Sequence, residues 1–267
     1  MIQNLDDLIG YNVISSKGED IGKVKDFYFD SKELVIRYAV VDTGGWLTGR
    51  KVLVSPDSFD KPDWKAKVFP VNLTKDEIEE GPSIDEEKPV SRQMEVELTD
   101  YYNWPPYWVP IPGETSVGFG GDYPVRAIPN EESPTKDEES ADETQEKNQE
   151  ENRACDDENC YLRSLNEVEG YNIESLDGDI GHVETLLASD DNWIIHYLVV
   201  DTRNWLPGKK VLISPEWLNR FSYTEQKVEV ELHKDTIESS PEYDPDVPVT
   251  REYEEDLYIH YGKDPYW

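Results

Sequence analysis

The chain has 267 residues, with 26 Lys plus Arg against 59 Asp plus Glu and a formal net charge of -33 at pH 7. Its length is sufficient for two domains of common size and a connecting segment. The charge would repel a nucleic-acid backbone over most of the surface, which excludes nucleic acid as an expected partner.

The start of the chain indicates no export signal. Its first residues, MIQNLDDLIG, lack the basic start and the apolar run of a signal sequence. The longest apolar stretches, such as Tyr38 to Val41 and Tyr197 to Val200, are too short to span a bilayer. We therefore expect a cytoplasmic protein with no direct membrane insertion.

Two long segments of the chain repeat each other. VVDTGGWLTGRKVLVSP at Val40 to Pro56 returns as VVDTRNWLPGKKVLISP at Val199 to Pro215, at an offset of 159 positions. The same offset carries Trp46 onto Trp205 and one PYW tripeptide onto another. Since the repeat extends over about a hundred residues per copy, it predicts two domains, at 1-108 and 165-267.

Residues 109-164 are predicted to be a linker. The segment is first rich in Pro and Gly and then, at Glu131 to Glu151, reads EESPTKDEESADETQEKNQEE. A segment with so few apolar side chains cannot bury enough surface to offset the entropy cost of folding. We therefore expect a disordered, charge-extended tether. An acidic tail that recruits a basic partner is the alternative.

Two cysteines lie in this linker, Cys155 and Cys160, within CDDENC. They could remain free thiols, close a small loop, or bind a soft metal incompletely. A four-ligand zinc site needs two further donors, and no other Cys or His is near in sequence. We therefore predict no metal site and no cofactor.

Within each copy, short runs rich in Val, Ile, Tyr and Phe alternate with turn-forming residues, which predicts strands joined by tight turns. Gly22 and Gly181, just inside the second strand of each copy, are predicted to mark a bulge that lets a small sheet bend. In the first copy the predicted strands are Tyr11 to Ile14, Ile21 to Phe29, Val35 to Asp42, Lys51 to Val54 and Val68 to Val71.

Two helices are predicted to follow in each copy. Thr74 and Glu77 fit a capping box for the first, whereas His233 replaces the threonine in the second copy, so the cap is not a requirement. The last helix should dock an apolar face on its own barrel, or on a partner groove. That face comprises Met94, Leu98, Tyr101 and Tyr102 in one copy and Tyr253, Leu257, His260 and Tyr261 in the other.

Candidate catalytic groups are few. Asp42 and Asp201 end equivalent strands, where a general base is conceivable, but Asp-Thr at such a junction commonly satisfies the N–H groups of its own turn. The histidines all lie in the second copy and are widely separated, which favours ordinary surface residues over a ligand set. They are His182, His196, His233 and His260.

The sequence GYNV...GEDIGKV...LVIRYAVVDTGGWLTGRKVLVSP resembles the PRC-barrel family, and the second copy resembles it as well. The resemblance covers about residues 6–83 and 167–241. This family includes the cytoplasmic domain of the photosynthetic reaction-centre H subunit and a domain of the ribosome-maturation factor RimM. This chain lacks the transmembrane helix of the former and the distinct N-terminal barrel of the latter, so neither role transfers.

The resemblance implies a mainly β chain with two small, strongly bent barrels, each carrying a short helix and a C-terminal amphipathic helix. It also implies a docking or assembly module that is not an enzyme. We expect binding of a protein partner or self-association, bivalent through two tethered barrels, with each half folding alone. The alternatives are an accessory subunit of a membrane-associated, photosynthetic-type complex, and a small-molecule or stress sensor.

Bulky apolar groups in the twin turns GGWLTG and RNWLPG are the first candidates for protein-binding anchors, since exposed Trp is favoured at interfaces. Each Trp could instead fold back as a lid over its barrel end. The aromatic tails are the second candidates. The predicted binding residues are Trp46, Leu47, Trp205, Leu206, Tyr107, Trp108, Tyr266 and Trp267.

Overall fold

The computed structural model describes residues 1–47, 49–84, 90–109, 162–202 and 209–267. Trp205, Leu206, Cys155 and Cys160 lie outside these ranges, as does most of the predicted linker. The predictions for those residues therefore stay predictions.

The first copy consists of six short strands, three α-helices and two single turns of 3-10 helix within the described residues. The strands are β1 Ile2–Asn4, β2 Asn12–Ile14, β3 Asp20–Asp30, β4 Ile36–Asp42, β5 Lys51–Val54 and β6 Val68–Pro70. The helices are α1 Leu5–Leu8, α2 Lys75–Glu80 and α3 Arg92–Tyr102, with the 3-10 turns at Gly44–Leu47 and Pro56–Ser58.

The second copy repeats this order in its described part and adds one strand, β12. Its strands are β7 Leu162–Ser164, β8 Asn172–Ser175, β9 Gly178–Ser189, β10 Ile195–Asp201, β11 Lys210–Ile213, β12 Leu218–Ser222 and β13 Lys227–Val230. Its helices are α4 Leu165–Val168, α5 Lys234–Glu238 and α6 Arg251–Tyr261, with a 3-10 turn at Pro215–Trp217.

The described strands form two sheets of matching topology. One has the order β5-β4-β3-β2-β6, with β7 paired to β3, and the other has the order β11-β10-β9-β8-β13-β12, with β1 paired to β9. The pairs β2–β6 and β8–β13 are parallel, while the hairpins are antiparallel. The predicted mainly β class is therefore confirmed.

The first strand of each copy pairs with the sheet of the other copy. In β1, Ile2 and Asn4 lie opposite Ser189 and Leu187 of β9. Reciprocally, β7 pairs antiparallel with the far end of β3. The two copies are therefore interleaved, and Leu162–Ser164 is a strand of this exchange although the predicted linker extends to residue 164.

Polar side chains form hydrogen bonds between each exchanged segment and the sheet of the other copy. Ser164 Oγ donates a hydrogen bond of 2.5 Å to Asp26 Oδ2, and Asn166 N–H donates to Asp26 Oδ1 at 3.2 Å. Burial raises the pKa of Asp26, and these hydrogen bonds oppose that rise. At the equivalent place in the other sheet, Thr185 Oγ1 donates to Asn4 Oδ1 at 3.1 Å.

The tips of the hairpins β3–β4 and β9–β10 also cross between the copies. Leu34 and Trp193 occupy equivalent positions with φ of 52° and 59°. Ile36 N–H donates to Trp193 O at 2.9 Å, and Ile195 N–H donates to Leu34 O at 2.8 Å. The Trp193 ring lies 6.2, 5.0 and 5.9 Å from the ring centroids of three phenylalanines of the first copy, Phe27, Phe59 and Phe69.

These contacts give the two copies one continuous hydrophobic core. The two copies are therefore not structurally separate in the described residues, whereas the prediction that each half folds alone stays a prediction. Each copy supplies a strand and a hydrogen-bonding side chain to the other, and the second copy also supplies the core aromatic Trp193 to the first. The repeat in sequence thus corresponds to two copies of one element order whose strands are exchanged.

Gly22 and Gly181 mark equivalent bulges, as predicted. Each lies beside a register shift in its sheet, and their φ angles are 153° and 143°. A Cβ on Gly22 would lie 2.0 Å from Asp42 O, and one on Gly181 would lie 2.0 Å from Asp201 O. Only glycine permits this approach of two strands.

We expect Gly22→Ala to lower the free energy of unfolding by about 2 to 4 kcal/mol, because the new Cβ meets backbone atoms that cannot swing away. Gly45→Ala is the matched control, since nothing lies within 4 Å of a Cβ at that position. The control should change stability by less than about 0.5 kcal/mol. Urea denaturation measures both, and similar stabilities for the two variants would contradict the steric argument.

The predicted helix starts are confirmed. Thr74 and Glu77 form a capping box at α2. At α5, His233 provides no side-chain cap, and Lys234 N–H instead donates to Asp177 Oδ1 at 2.8 Å. A carboxylate from the β8–β9 turn thus replaces the missing threonine.

The C-terminal helices dock on their own sheets. Leu98 and Leu257 are fully buried, as predicted, and Tyr258 and Tyr261 pack on Trp217 with ring centroids 5.1 and 4.6 Å away. Tyr101 differs from the prediction. It is 41% exposed, with its hydroxyl donating to Glu77 O at 3.0 Å.

Asp6 of α1 and Glu169, the residue that follows α4, form a pair of carboxyl groups that joins the two copies. The pKa of Glu169 is raised to about 8, first by burial, then by a hydrogen bond to Asp6, and also by the charges of Asp26 on β3 and Glu184 on β9. Lys210 is ion-paired to Glu184 at 2.6 Å. The folded chain therefore holds a proton on Glu169 that the unfolded chain releases near its ordinary value of 4.5.

We expect stability to fall as pH rises through the window from 4.5 to about 8, because the folded state binds more protons than the unfolded state there. The side chain is half-buried, and solvent screening limits the loss to about 1 to 2 kcal/mol. Glu169→Gln should remove this loss, so that it is more stable than wild type at pH 8 and similar at pH 5. Urea denaturation at both pH values tests this, with exposed Glu252→Gln as control. A wild-type stability that is flat over the window contradicts it.

Candidate interaction surfaces

Trp46 folds back on its own copy. It belongs to the 3-10 turn Gly44–Leu47, and its Nε1–H donates to Ile21 O at 2.6 Å. Lys75 Nζ lies 4.1 Å from the centroid of the half-buried ring. This arrangement corresponds to the lid alternative. Leu47 is half-buried in the same turn.

The first aromatic tail folds against α3 and the sheet. Tyr107 Oη donates to Glu95 Oε1 at 2.6 Å, and the Arg37 guanidinium lies 3.8 Å from the centroid of the Tyr107 ring. The Arg92 guanidinium lies 4.4 Å from the Trp108 ring. These five residues are the first tail cluster.

The second aromatic tail repeats the arrangement. Tyr266 Oη donates to Glu254 Oε1 at 2.8 Å, and the Arg251 guanidinium lies 4.0 Å from the Trp267 ring. His196 takes the place of Arg37, with its ring 4.7 Å from that of Tyr266. These five residues are the second tail cluster.

A buried glutamate forms the base of each tail cluster. Glu95 is 1% exposed and Glu254 is 3% exposed. Each also accepts a hydrogen bond from a strand tyrosine, with Tyr38 Oη 3.3 Å from Glu95 Oε1 and Tyr197 Oη 2.8 Å from Glu254 Oε1. An arginine also pairs with each glutamate. Arg92 lies 2.8 Å from Glu95 Oε2, and Arg251 lies 3.1 Å from Glu254 Oε2. The carboxylate of each buried glutamate is therefore hydrogen-bonded by tyrosine hydroxyls and ion-paired with an arginine.

Burial keeps the tyrosine hydroxyls of these clusters protonated. It is the largest cause of the raised pKa of Tyr38, Tyr107, Tyr197 and Tyr266, and the adjacent glutamates raise each pKa further. Burial also raises the pKa of Glu95, while the hydrogen bond from Tyr107 and the charge of Arg92 lower it. The hydroxyls consequently act as hydrogen-bond donors.

The outer faces of the two clusters are accessible. Trp267 is 45% exposed and Val109, beside Trp108, is 51% exposed. Ile259 on the outer face of α6 is 77% exposed. Arginine-backed aromatic rings thus lie at the surface of a strongly acidic chain.

The other predicted candidates are dispersed. Asp42 Oδ1 accepts from Gly44 N–H at 2.9 Å, which is the turn-satisfying alternative. Asp201 is buried at 2% exposure.

Burial lowers the pKa of His196 to about 4, so this ring is neutral near pH 7. His260 Nε2 lies 2.7 Å from Thr236 O. Within the described ranges no group of three or more His, Cys, Asp or Glu is placed to hold a metal ion.

Among the described segments, no helix has both the length and the apolar character that crossing a bilayer requires.

Comparison with known proteins identifies the first copy. An uncharacterized protein of Deinococcus radiodurans is 31% identical over 96 residues, which make up 34% of this chain and 34% of that protein. The match thus spans about a third of the length of this curated relative. Residues 3–76 match the PRC-barrel domain family. They cover β1 to β6 and the start of α2, together with Gly22 and Trp46. The chain therefore contains a PRC-barrel domain at residues 3–76.

Proposed function

We propose that both copies are PRC-barrel units and that the chain is a protein-binding assembly module without catalysis of its own. The family match covers residues 3–76 of the first copy, and a PRC-barrel domain suggests a non-catalytic module. The second copy supports the proposal because it has the same parallel pair, the same bulge glycine and the same tail cluster at equivalent positions.

The module presents its two binding surfaces as parts of one body. Because β1 and β7 are exchanged and the copies share a core, the tail clusters are held at a fixed separation. A rigid pair of sites gains affinity for partners whose own sites are paired or repeated at that spacing. Bivalency of this form would depend on the contacts between the copies and not on the length of the linker.

The proposal depends most on the observation that a tail cluster is present in both copies. Trp, Tyr and Arg are the residue types that contribute most to binding when they lie in well-packed positions at an interface. In each cluster the indole is held by an arginine, so little side-chain entropy remains to be lost on binding. The net charge of -33 favours a partner with a basic surface.

Affinity capture from a native lysate, followed by binding measurements with the purified partner, tests this function. Trp108→Ala and Trp267→Ala are expected to reduce recovery of the same partner together, and the double variant more than either alone. Trp46→Ala is the matched control, because its indole is bonded to its own copy. Equal recovery by wild type and double variant would contradict a role for the tails.

A further inference from the structure

The surface that joins the two copies differs between its two halves, although the copies exchange equivalent segments. NLDDLIGYN at residues 4–12 corresponds to SLNEVEGYN at residues 164–172. In the first half-site, the segment 164–172 meets β3 at Asp26, and in the second half-site, the segment 4–12 meets β9 at Thr185. Asp26 and Thr185 hold equivalent register positions in their sheets. The two half-sites therefore place different side chains in the same geometry.

At the first half-site, the second copy supplies hydrogen-bond donors to the first. Asp26 accepts from Ser164 Oγ at 2.5 Å and from the Asn166 N–H at 3.2 Å. The side-chain amide of Asn166 also donates to Lys25 O at 3.3 Å. A buried carboxylate and a strand carbonyl thus receive the donors that their burial requires.

A first copy would present an acceptor at the same place. Asp6 holds the position that Asn166 holds in the second copy. In a pair of two first copies, the Asp6 carboxylate would lie where an amide now donates to Lys25 O, close to the carboxylate of Asp26. Two like charges and two facing acceptors destabilise such a contact.

The second half-site accommodates Asp6. A neutral threonine, Thr185, stands there in place of the carboxylate, and its hydroxyl donates to Asn4 Oδ1 at 3.1 Å. The Asp6 side chain shares a hydrogen bond with Glu169 of the second copy. The first copy has Ile9 at the position of Glu169, and its side chain cannot share a hydrogen bond. Asp6 therefore fits the second copy and not the first.

The hydrophobic contact on β3 favours the same pairing. The Trp193 ring of the second copy packs against three phenylalanines of the first, Phe27, Phe59 and Phe69. The first copy carries Leu34 at the position of Trp193. In a pair of two first copies, the shorter side chain would leave part of this space empty, which is unfavourable in a core. Packing thus adds to the difference in charge.

We propose that the surface of the first copy around Asp26 selects a second copy as its partner and rejects another first copy. This selectivity is distinct from the proposed function and involves none of the tail-cluster contacts. The partner is the second copy of the same chain or of another chain, because both offer identical donors. Two chains that join through this surface therefore do so in a first-to-second order.

The full chain with a protease site placed between residues 110 and 161 provides the test. Cleavage of the folded protein removes the covalent connection between the copies, and unfolding in urea followed by refolding allows each copy to pair again. Native mass spectrometry distinguishes the three possible pairs by mass. We expect pairs of a first and a second copy to exceed pairs of two first copies at least about tenfold.

Asp26→Thr should change the two pairings in opposite directions, because it gives the first half-site the side chain of the second. Pairs of two first copies should become several-fold more abundant, since threonine tolerates Asp6. Pairs of a first and a second copy should become fewer, since the acceptor for Ser164 is lost. Asp20→Thr on the same strand is the control, because Asp20 is exposed, and it should leave the ratio unchanged.

Equal amounts of the two kinds of pair from wild-type copies would overturn the proposal, and so would a ratio that Asp26→Thr leaves unchanged. The uncleaved chain provides a measurement that does not require separated copies to refold. Asn166→Asp places a carboxylate against Asp26 and should lower the urea midpoint. The same change should lower the midpoint much less in a chain that also carries Asp26→Thr. Equal shifts in the two backgrounds would show that Asp26 does not distinguish the partners, which rejects the proposal.

Discussion

Residues 1–109 produced alone are expected to form no stable monomer. In that fragment β1 lacks its partner β9, and the far end of β3 lacks β7. The phenylalanines around Trp193 would face water instead of an indole. A small unit has little stability in reserve, so the loss of two strand pairings and part of its core should leave it unfolded.

Circular dichroism, urea denaturation and light scattering of this fragment measure the effect. Mixing it with residues 162–267 should restore the spectrum of the full chain and give a complex of one copy of each fragment. Complementation is expected because the described contacts between the halves need no covalent connection. They are the exchanged strands, the Asp26 hydrogen bonds and the hairpin tips.

A second fragment carrying Trp193→Ala provides the control, and it should restore the native spectrum only at higher concentration. A stable first fragment would contradict this prediction. If residues 1–109 unfold cooperatively as a monomer with a stability near that of the full chain, the interleaving does not hold the first copy together.

Local features of this fold could be predicted because neighbouring residues determine them. Glycine inside a strand indicated the bulge at Gly22, and the spacing of Thr74 and Glu77 indicated a capped helix. The offset of 159 residues predicted that both copies would repeat these elements. Each of these inferences depends on a pattern that can be read in the sequence without knowing which distant segments are in contact.

The strand exchange could not be predicted in the same way. Strand β1 has only three residues, and its local preference for the sheet of either copy is the same because the copies are similar. Which sheet it joins depends on contacts between residues far apart in sequence. Trp193 illustrates the problem, since it follows Asp-Asp-Asn in what reads as a surface turn.

The tail clusters could be predicted only in part. The sequence indicated Tyr107, Trp108, Tyr266 and Trp267, but burial of Glu95 and Glu254 contradicts the usual preference of glutamate for the surface. A signal was present, because Arg-x-x-Glu starts the last helix of both copies. Its meaning depends on Tyr38 and Tyr197, which only the folded chain brings within hydrogen-bond distance.

Trp193→Ala is expected to lower the free energy of unfolding of the full chain by about 3 to 5 kcal/mol. The indole is 7% exposed and fills the space among Phe27, Phe59 and Phe69. Alanine leaves a cavity that the backbone cannot close, because Trp193 O is fixed by the Ile36 N–H. The φ of 59° at this position also remains unfavourable for alanine.

Urea denaturation followed by circular dichroism measures the loss, and Trp64→Ala serves as the control. Trp64 is half-buried and has a T-shaped contact with Tyr11 inside one copy, so its removal should cost about 1 to 2 kcal/mol. Trp193→Phe should retain most of the stability. A loss below about 1 kcal/mol in Trp193→Ala would show that the indole is not a core residue.

The same variant tests whether the copies unfold together. Trp193 belongs to the second copy and its surroundings to the first, so a shared core requires one transition that moves to lower urea for probes in either copy. Fluorotryptophan labelling followed by fluorine NMR resolves Trp64 of the first copy and Trp217 of the second as separate signals among the eight tryptophans of the chain. If the Trp193→Ala change shifts only one of the two signals, the halves are separately cooperative, and the rigid spacing between the tail clusters no longer follows.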